Sequence, residues 1–437
     1  MKQKKIVLIG AGSAEFTQGL IADLIQAQNK GNTSWHLGLV DTDAEALETA
    51  RLLSERMIRE RDADIQISFS TDRRDILPEA DVVVCTVAVG KRKAWEADVF
   101  IPRKYGIYQP VGDTVMVGGI SRAMRMIPAM MDIARDVERM CPDAWFFNYS
   151  NPMSAICMAI REYTGAKVVG LCHGVNHTQQ YLSRCAGLDE AQTTAKAVGL
   201  NHLTFVYDFR YKGKDMWPIL EERLNESDNE NFTENPFAWE MFKTYSAFPA
   251  PGDRHITEFF ADRFPHGNYY GKTLGVDTFS FEKTIEQGDN TYEIMKKIAN
   301  GNRPITEDLF KRSSGEHEQL MDIIDSLDND KGLIYSANMP NNGAVPNLPS
   351  QALLEMPAIA SARGFYPLRI SDFPDGLAAL LMKHIGILEL TVQAAIKGNK
   401  QLFVEAVLAG GYMSNKEQVV EMVDELIQAH KQYLPQF

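Results

Sequence analysis

Cys172 and His202 are the side chains best suited to hold a divalent metal. A thiolate and an imidazole are good donors, and each follows an apolar run, in GLCHGV and VGLNHLTF. Their separation of thirty positions is too wide for a zinc-finger signature. Spacing alone therefore leaves a second reading open, in which Cys172 fills a strand end and His202 makes a structural hydrogen bond. His173 and Asn201, their neighbours, fit a supporting donor as well as a direct one. NYSNP offers Asn148 and Asn151 in a proline-fixed turn, where short amides bind sugar hydroxyls or nicotinamide, or only the local backbone. In PVGDTVMVGGISR, Asp113 stands among glycines before a helix, either as a cap or as a polar contact to substrate. PGDRH sets Asp253, Arg254 and His255 close behind Pro249 and Pro251, which suggests an exposed, partly preordered loop. Asp253 has the chemistry of a base and Arg254 that of a rigid fork for an anion, against the alternative of a surface charge cluster.

Strands must deliver these residues. KIVLIG reads as a short buried strand, after which Gly10, Gly12 and Ser13 allow a tight turn into a helix from Phe16 to Ala27. GAGSAEF keeps the first two glycines of a dinucleotide fingerprint and has Glu15 at the third. A second strand, WHLGLVDTD, ends at Asp41, in reach of a ribose, with Asp43 the competing carboxylate and Thr42 between them pointing the other way. IQISFS, a helix-like DRRDILPEA and the apolar DVVVCTVAVG continue the alternation, and Arg92 follows in GKRK. The helical SRAMRMIPAMMDIARDVERMC, then AWFFNYSNP and KVVGLCHGV, bring Asn151 and Cys172 to strand ends, where open parallel sheets collect ligands. The fold class is α/β, a Rossmann-like doubly wound parallel sheet over 1–200. A second mixed α+β, largely helical domain follows over 201–437. In that half NHLTFVYDFRYKGKDMWPIL reads as an antiparallel ribbon, ERLNESDNENFTENP as a solvated connection, and 365–395 and 400–432 as long amphipathic helices.

A chain of 437 residues, 45% hydrophobic, buries a substantial core. Its formal charge of -13 offers no footing for nucleic acid or an anionic membrane. Five scattered cysteines lack the density of a disulfide scaffold, and a reducing cytoplasm is expected. The basic, apolar N-terminus runs straight into the glycine turn, unlike an export signal, and no apolar run has the length of a membrane span.

GAGSAEF, GDTVMVGGISRAMRMIP, NYSNPM, GLCHGV and GLNH, in that order, resemble glycoside hydrolase family 4, the NAD-dependent glycosidases whose fold is related to lactate and malate dehydrogenases. The likeness covers essentially the whole chain. It implies a route outside the usual two-carboxylate scheme: NAD takes hydride from C3 of the sugar, a base removes the C2 proton, a divalent metal such as Mn2+ holds the C2 and C3 oxygens, the glycosidic oxygen leaves, water adds at C1 and the hydride returns. By resemblance Cys172 and His202 are the metal ligands, with Mn2+, Co2+ and Ni2+ all acceptable. Asn151 contacts substrate beside the metal and Asn148 lies just before it. Gly10, Gly12, Ser13 and Phe16 form the cofactor turn, with Asp41 on the ribose. Phosphosugar members carry Asp or Asn after the metal cysteine and Pro at the end of that motif. His173 and Val175 stand there instead, which favours an unphosphorylated sugar. Those members use a tyrosine base in the region of Phe259, so Asp253 is the candidate base, with Asp113 or His173 the acid. Arg92 and Arg254 make an α-uronidase the expectation over a neutral α-galactosidase or α-glucosidase. A 2-hydroxy-acid dehydrogenase is the rival enzyme class, and a sugar or dinucleotide sensor the non-enzymatic one. A homodimer or homotetramer follows from the resemblance.

Overall fold

The computed structural model describes residues 2–30, 33–225, 230–311 and 319–437. In β1 (Lys2–Ile9), Ile6, Val7 and Leu8 are wholly enclosed, so both faces of the strand are covered, as in a buried parallel sheet. The chain then alternates through α1 (Ala14–Lys30), β2 (Thr33–Val40), α2 (Ala44–Glu60), β3 (Ile65–Ser70), β4 (Val82–Cys85), α3 (Lys91–Lys104), α4 (Met116–Met140), β5 (Trp145–Asn148), α5 (Met153–Tyr163), β6 (Lys167–Gly170) and α6 (Gly174–Ala186). These strands pair in parallel in the order β3-β2-β1-β4-β5-β6, the doubly wound dinucleotide arrangement expected. DRRDILPEA holds only a three-residue helical turn, Arg73–Asp75, capped by Asp72.

The second half extends this sheet. It contributes β7 (Thr193–Leu200), β8 (Leu203–Tyr211), β9 (Lys214–Asp215), α7 (Trp217–Leu224), α8 (Pro236–Tyr245), β10 (Phe248–Ala250) and α9 (Asp253–Ile256), followed by β11 (Asn268–Tyr269) and β12 (Lys272–Thr273). It continues with α10 (Phe281–Ala299), α11 (Leu320–Asn329), β13 (Leu333–Pro340), β14 (Leu353–Ser361), β15 (Gly364–Pro367), α12 (Asp375–Lys397), α13 (Lys400–Gly410) and α14 (Lys416–His430). Beyond β6 the order is β13-β14-β7-β8-β10, all antiparallel. Residue 200 thus falls at the β7–β8 turn, inside one continuous sheet. The ribbon at Lys212–Gly213 forms as β8 and β9, and β8 finds its long partner in β7. Residues 226–229 of the expected solvated connection lie outside the described residues.

Alternate residues of β1 face two apolar layers, Ile6 and Leu8 one, Val7 and Ile9 the other. The second layer holds α4, α5 and the C-terminal helices. The two long terminal segments expected from periodicity are divided. Phe365 to Pro367 belong to strand β15, and Gly411, at φ 73°, ends α13 before α14 begins. Helix α12 is long and apolar enough to cross a membrane by length and composition, and here it packs on α4, α5 and α13. The C-terminal helix is tied in by charge: Asp98 of α3 is fully enclosed and accepts from Ser121 and Arg125 of α4, with the His430 ring at 2.9 Å.

Candidate active site

One register row crosses the sheet as Val40, Ile9, Cys85, Asn148, Gly170, Asn338, Glu355, Gly199, Thr204 and Ala250. The candidate residues are those just past this row. Asp41 follows Val40, Gly10 follows Ile9, Asn151 lies three beyond Asn148 and Cys172 two beyond Gly170. His202 occupies the turn between Gly199 and Thr204, and Pro251 follows Ala250. The twist of a long sheet turns its antiparallel edge towards the ends of the central strands. The 172–174 and 251 segments accordingly meet: a side chain on Gly174 would stand 3.2 Å from Pro251 and 3.5 Å from the Cys172 Sγ.

Of the five cysteines, all thiols, Cys172 alone is half-buried. His202 has φ 69°, a left-handed backbone that a non-glycine residue adopts at a cost and that marks functional turns. The Thr114 hydroxyl donates to Asp113 Oδ1 at 2.8 Å, so its oxygen accepts from His202 Nδ1 at 2.9 Å. That hydrogen bond selects the tautomer with a lone pair on Nε2, the form a metal needs. Burial holds the His202 imidazole below its ordinary pKa, with the Asp113 carboxylate opposing. The other Asp113 oxygen accepts from Asn151 Nδ2 at 3.1 Å, and Arg122 Nε holds the Asn151 carbonyl at 3.0 Å. Asn151 Oδ1 is enclosed and has no hydrogen-bond partner among the described residues. A thiolate, an imidazole and an unsatisfied amide oxygen fit a divalent ion. Among the described residues no three His, Cys, Asp or Glu side chains cluster closely enough to hold a metal by themselves.

The 251–258 segment differs from its expectation. Asp253 is not on an exposed loop: it is 0% exposed and accepts the backbone amides of Phe237 and Ala238, each at 2.8 Å, together with the Tyr269 hydroxyl. It caps the start of α8 from a distance, and its carboxylate has no face left for a sugar. Burial pushes it up to about 6, against those three hydrogen bonds. The candidate base from sequence is therefore a structural anchor. His255 lies two residues further on, against His202. Its ring lies 4.4 Å from the His202 ring, and burial, then the neighbouring His202, Arg254 and His173, hold it neutral well below the usual histidine range. Arg254 is half-buried, donates from Nη2 to Thr284 at 3.0 Å, and keeps an enclosed Nε with no partner among the described residues. His173 precedes α6, with its ring 4.4 Å from His177.

Three residues escaped the sequence reading. Thr114 links His202 to Asp113, and Arg122 holds the Asn151 carbonyl. Glu258, 2% exposed, accepts the amides of both Val111 and Gly112 at 2.8 Å on one oxygen, fixing the loop that carries Asp113 and Thr114. Burial raises its carboxyl to about 8. Its signal was an acid set between Ile256 and Phe259 in an otherwise apolar run.

The nucleotide turn is built as expected. Gly10 has φ 94°, and a Cβ there would meet Thr86 Oγ1 at 2.9 Å, while one on Gly12 would stand 2.8 Å from Asp41 Oδ2. The Gly12 amide donates to Asp41 at 2.8 Å, Ser13 closes the turn on Gly10, and α1 follows. This close-backed glycine cradle before a helix suits a pyrophosphate. Asp43 caps α2 and pairs with Lys91. Three expectations are corrected. Phe16 is 5% exposed and packs 4.7 Å from Tyr149 in the core. Asn148 is wholly enclosed, with both ends of its amide on the Ser150 backbone. Arg92 lies on the exposed face of α3, paired with Glu96 and Asp289, away from the cluster.

The sequence matches the family 4 glycosyl hydrolase profile over residues 5–188 and that family's C-terminal domain over 197–410. An alpha-galacturonidase of Lachnoclostridium phytofermentans is 30% identical, with 99% of this chain and 97% of that protein covered. An alpha-galactosidase of Bacillus subtilis is 28% identical, with 99% and 100% covered. The structure of a 6-phospho-alpha-glucosidase from gut microorganisms, solved with NAD and Mn2+, superposes with a TM-score of 0.86 at 18% identity over 100% of both chains. Two adjoining profiles and relatives matched end to end converge on one conclusion: the chain belongs to family 4 of the glycosyl hydrolases.

Proposed function

We propose that the protein is an NAD- and Mn2+-dependent α-glycosidase acting on an unphosphorylated α-uronide, an α-galacturonide or α-glucuronide. Gly10, Gly12, Ser13 and Asp41 would hold NAD, and Cys172, His202 and Asn151 the metal. When bound, NAD supplies a hydride acceptor for C3, and Mn2+ lowers the cost of negative charge on the C2 and C3 oxygens. The chain's own residues do the rest. Thr114 and Asp113 orient His202 and Asn151. His255, neutral against His202, takes the C2 proton in place of Asp253. His173 protonates the leaving oxygen.

Arg254 carries the choice of sugar. Its half-buried guanidinium lies beside His255 with Nε enclosed and no partner among the described residues, a donor suited to a carboxylate and of little use to a hydroxymethyl group. The alpha-galacturonidase relative at 30% identity supports the same reading. The alternative is a neutral α-galactosidase, favoured by the B. subtilis relative and by the hydrogen bond that already occupies Arg254 Nη2. The test compares kcat/KM on paired 4-nitrophenyl α-galacturonide and α-galactoside, in the wild type and in Arg254→Ala. The uronide should be preferred, and the variant should lose about 100-fold more on the uronide than on the galactoside. Preference for the neutral sugar, or equal losses on both, hands the reading to the alternative.

A further inference from the structure

A polar cleft of about 300 Å3 runs along α6, lined by His177, Thr178, Gln180, Tyr181, Arg184, Glu234, Asn235, Phe248, Pro251 and Gly252. Its two walls continue the segments that build the site. On one side His177 follows Cys172 and His173 by a single helical turn, its ring 4.4 Å from that of His173. On the other, Pro251 and Gly252 lead directly into Arg254 and His255, and Pro251 closes on Gly174 beside the Cys172 sulfur. We propose that this cleft receives the leaving group of the glycoside and that the group is an uncharged, hydroxylated one, a second sugar or a polyol. The proposal rests on the glycosidase reading above.

Volume and lining carry the assignment. The space is at the lower end for ligand pockets, about that needed by one small polar molecule. Its polar wall is amide and imidazole, groups that both donate to and accept from hydroxyls. Gln180 is half-buried and lines the cleft. Arg184 and Glu234, the fixed charges of the cleft, pair with each other at 2.8 Å, so neither sign of leaving group is drawn in. Tyr181 and Phe248 supply an aromatic face, with ring centroids 5.6 Å apart.

The test uses the full-length protein loaded with NAD and Mn2+ and two substrates with the same cleaved sugar, an α-galacturonide with a neutral sugar as leaving group and 4-nitrophenyl α-galacturonide. Gln180→Ala should lower kcat/KM for the disaccharide about tenfold more than for the aryl glycoside, and Gln180→Trp, which fills the cleft, should widen that ratio further. Equal effects on the two substrates, or none on either, would overturn the leaving-group site. Faster cleavage of a disaccharide with a uronate leaving group would overturn its neutral character. Wild-type turnover of galactosides and not galacturonides sinks the uronide reading alone, and the same ratio taken on the galactoside pair still decides the cleft.

Discussion

Asp253→Asn separates an anchor from a base. In the structure both carboxylate oxygens face donors: the Phe237 and Ala238 amides at 2.8 Å and the Tyr269 hydroxyl. An asparagine there puts its NH2 against one of those donors at a fully enclosed position. The loss of a buried cap plus one unsatisfied donor is worth about 2–3 kcal/mol, a fall in Tm of about 2–3 °C for a chain of this size. The pH dependence adds a second signature. Burial raises the carboxyl from 3.8 to about 6, so the folded protein holds that proton more tightly than the unfolded chain does. The stability gained is full below pH 3.8, is lost as pH rises through 6, and amounts to about 3 kcal/mol. The variant lacks this window, so the gap in Tm between the two proteins should narrow on going from pH 4 to pH 7. Exchange of the substrate C2 hydrogen with deuterium, followed by NMR, should persist in the folded variant and vanish in His255→Asn. An unchanged Tm together with abolished exchange in Asp253→Asn would restore Asp253 as the base and refute the anchoring role.

Cys172→Ser should lose bound Mn2+ while keeping NAD, since a hydroxyl is a poor replacement for a readily ionised thiol; full metal occupancy by elemental analysis would return Cys172 to an inert strand-end cysteine. Thr114→Val breaks the link between His202 and Asp113 and should weaken Mn2+ binding about 10- to 100-fold, read by EPR titration. Unaltered affinity would mean that His202 keeps its tautomer without help.

The parallel half was legible because its signals are local. GAGS turns on two glycines that no side chain can replace, and the runs IVLI and VVVC are apolar on both faces because both faces are covered. Cys172, His202 and Asn151 stand just past strand ends, which makes them candidates, while their assignment to a metal rests on the family resemblance. What failed depended on contacts distant in sequence. Prolines around Asp253 suggested exposure, yet α8 folds over it. Asn148 and Asn151 are alike in a turn until the strand directs one amide inward and leaves the other facing Asp113. Arg92 was an attractive cation only while Asp289, on a helix nearly two hundred residues away, was out of view. The antiparallel extension was hidden because no local pattern says which strand a late strand joins.

That last feature bears on how the protein comes into being. β6 and β7 are consecutive strands in sequence and end beside Cys172 and His202, the proposed metal donors, but β13 and β14 lie between them in the sheet. During synthesis Cys172 and His202 leave the ribosome early, while the two strands that set their separation emerge only with residues 333–361. A nascent chain halted before β13 owns both donors and lacks the span that fixes one relative to the other. The early half can fold around its dinucleotide turn, because its six parallel strands are complete by residue 170. If Cys172 and His202 hold the metal as proposed, its capture belongs to the closing stage of folding, after long-range pairings that form slowly, and reports on a finished sheet in a way that cofactor binding does not.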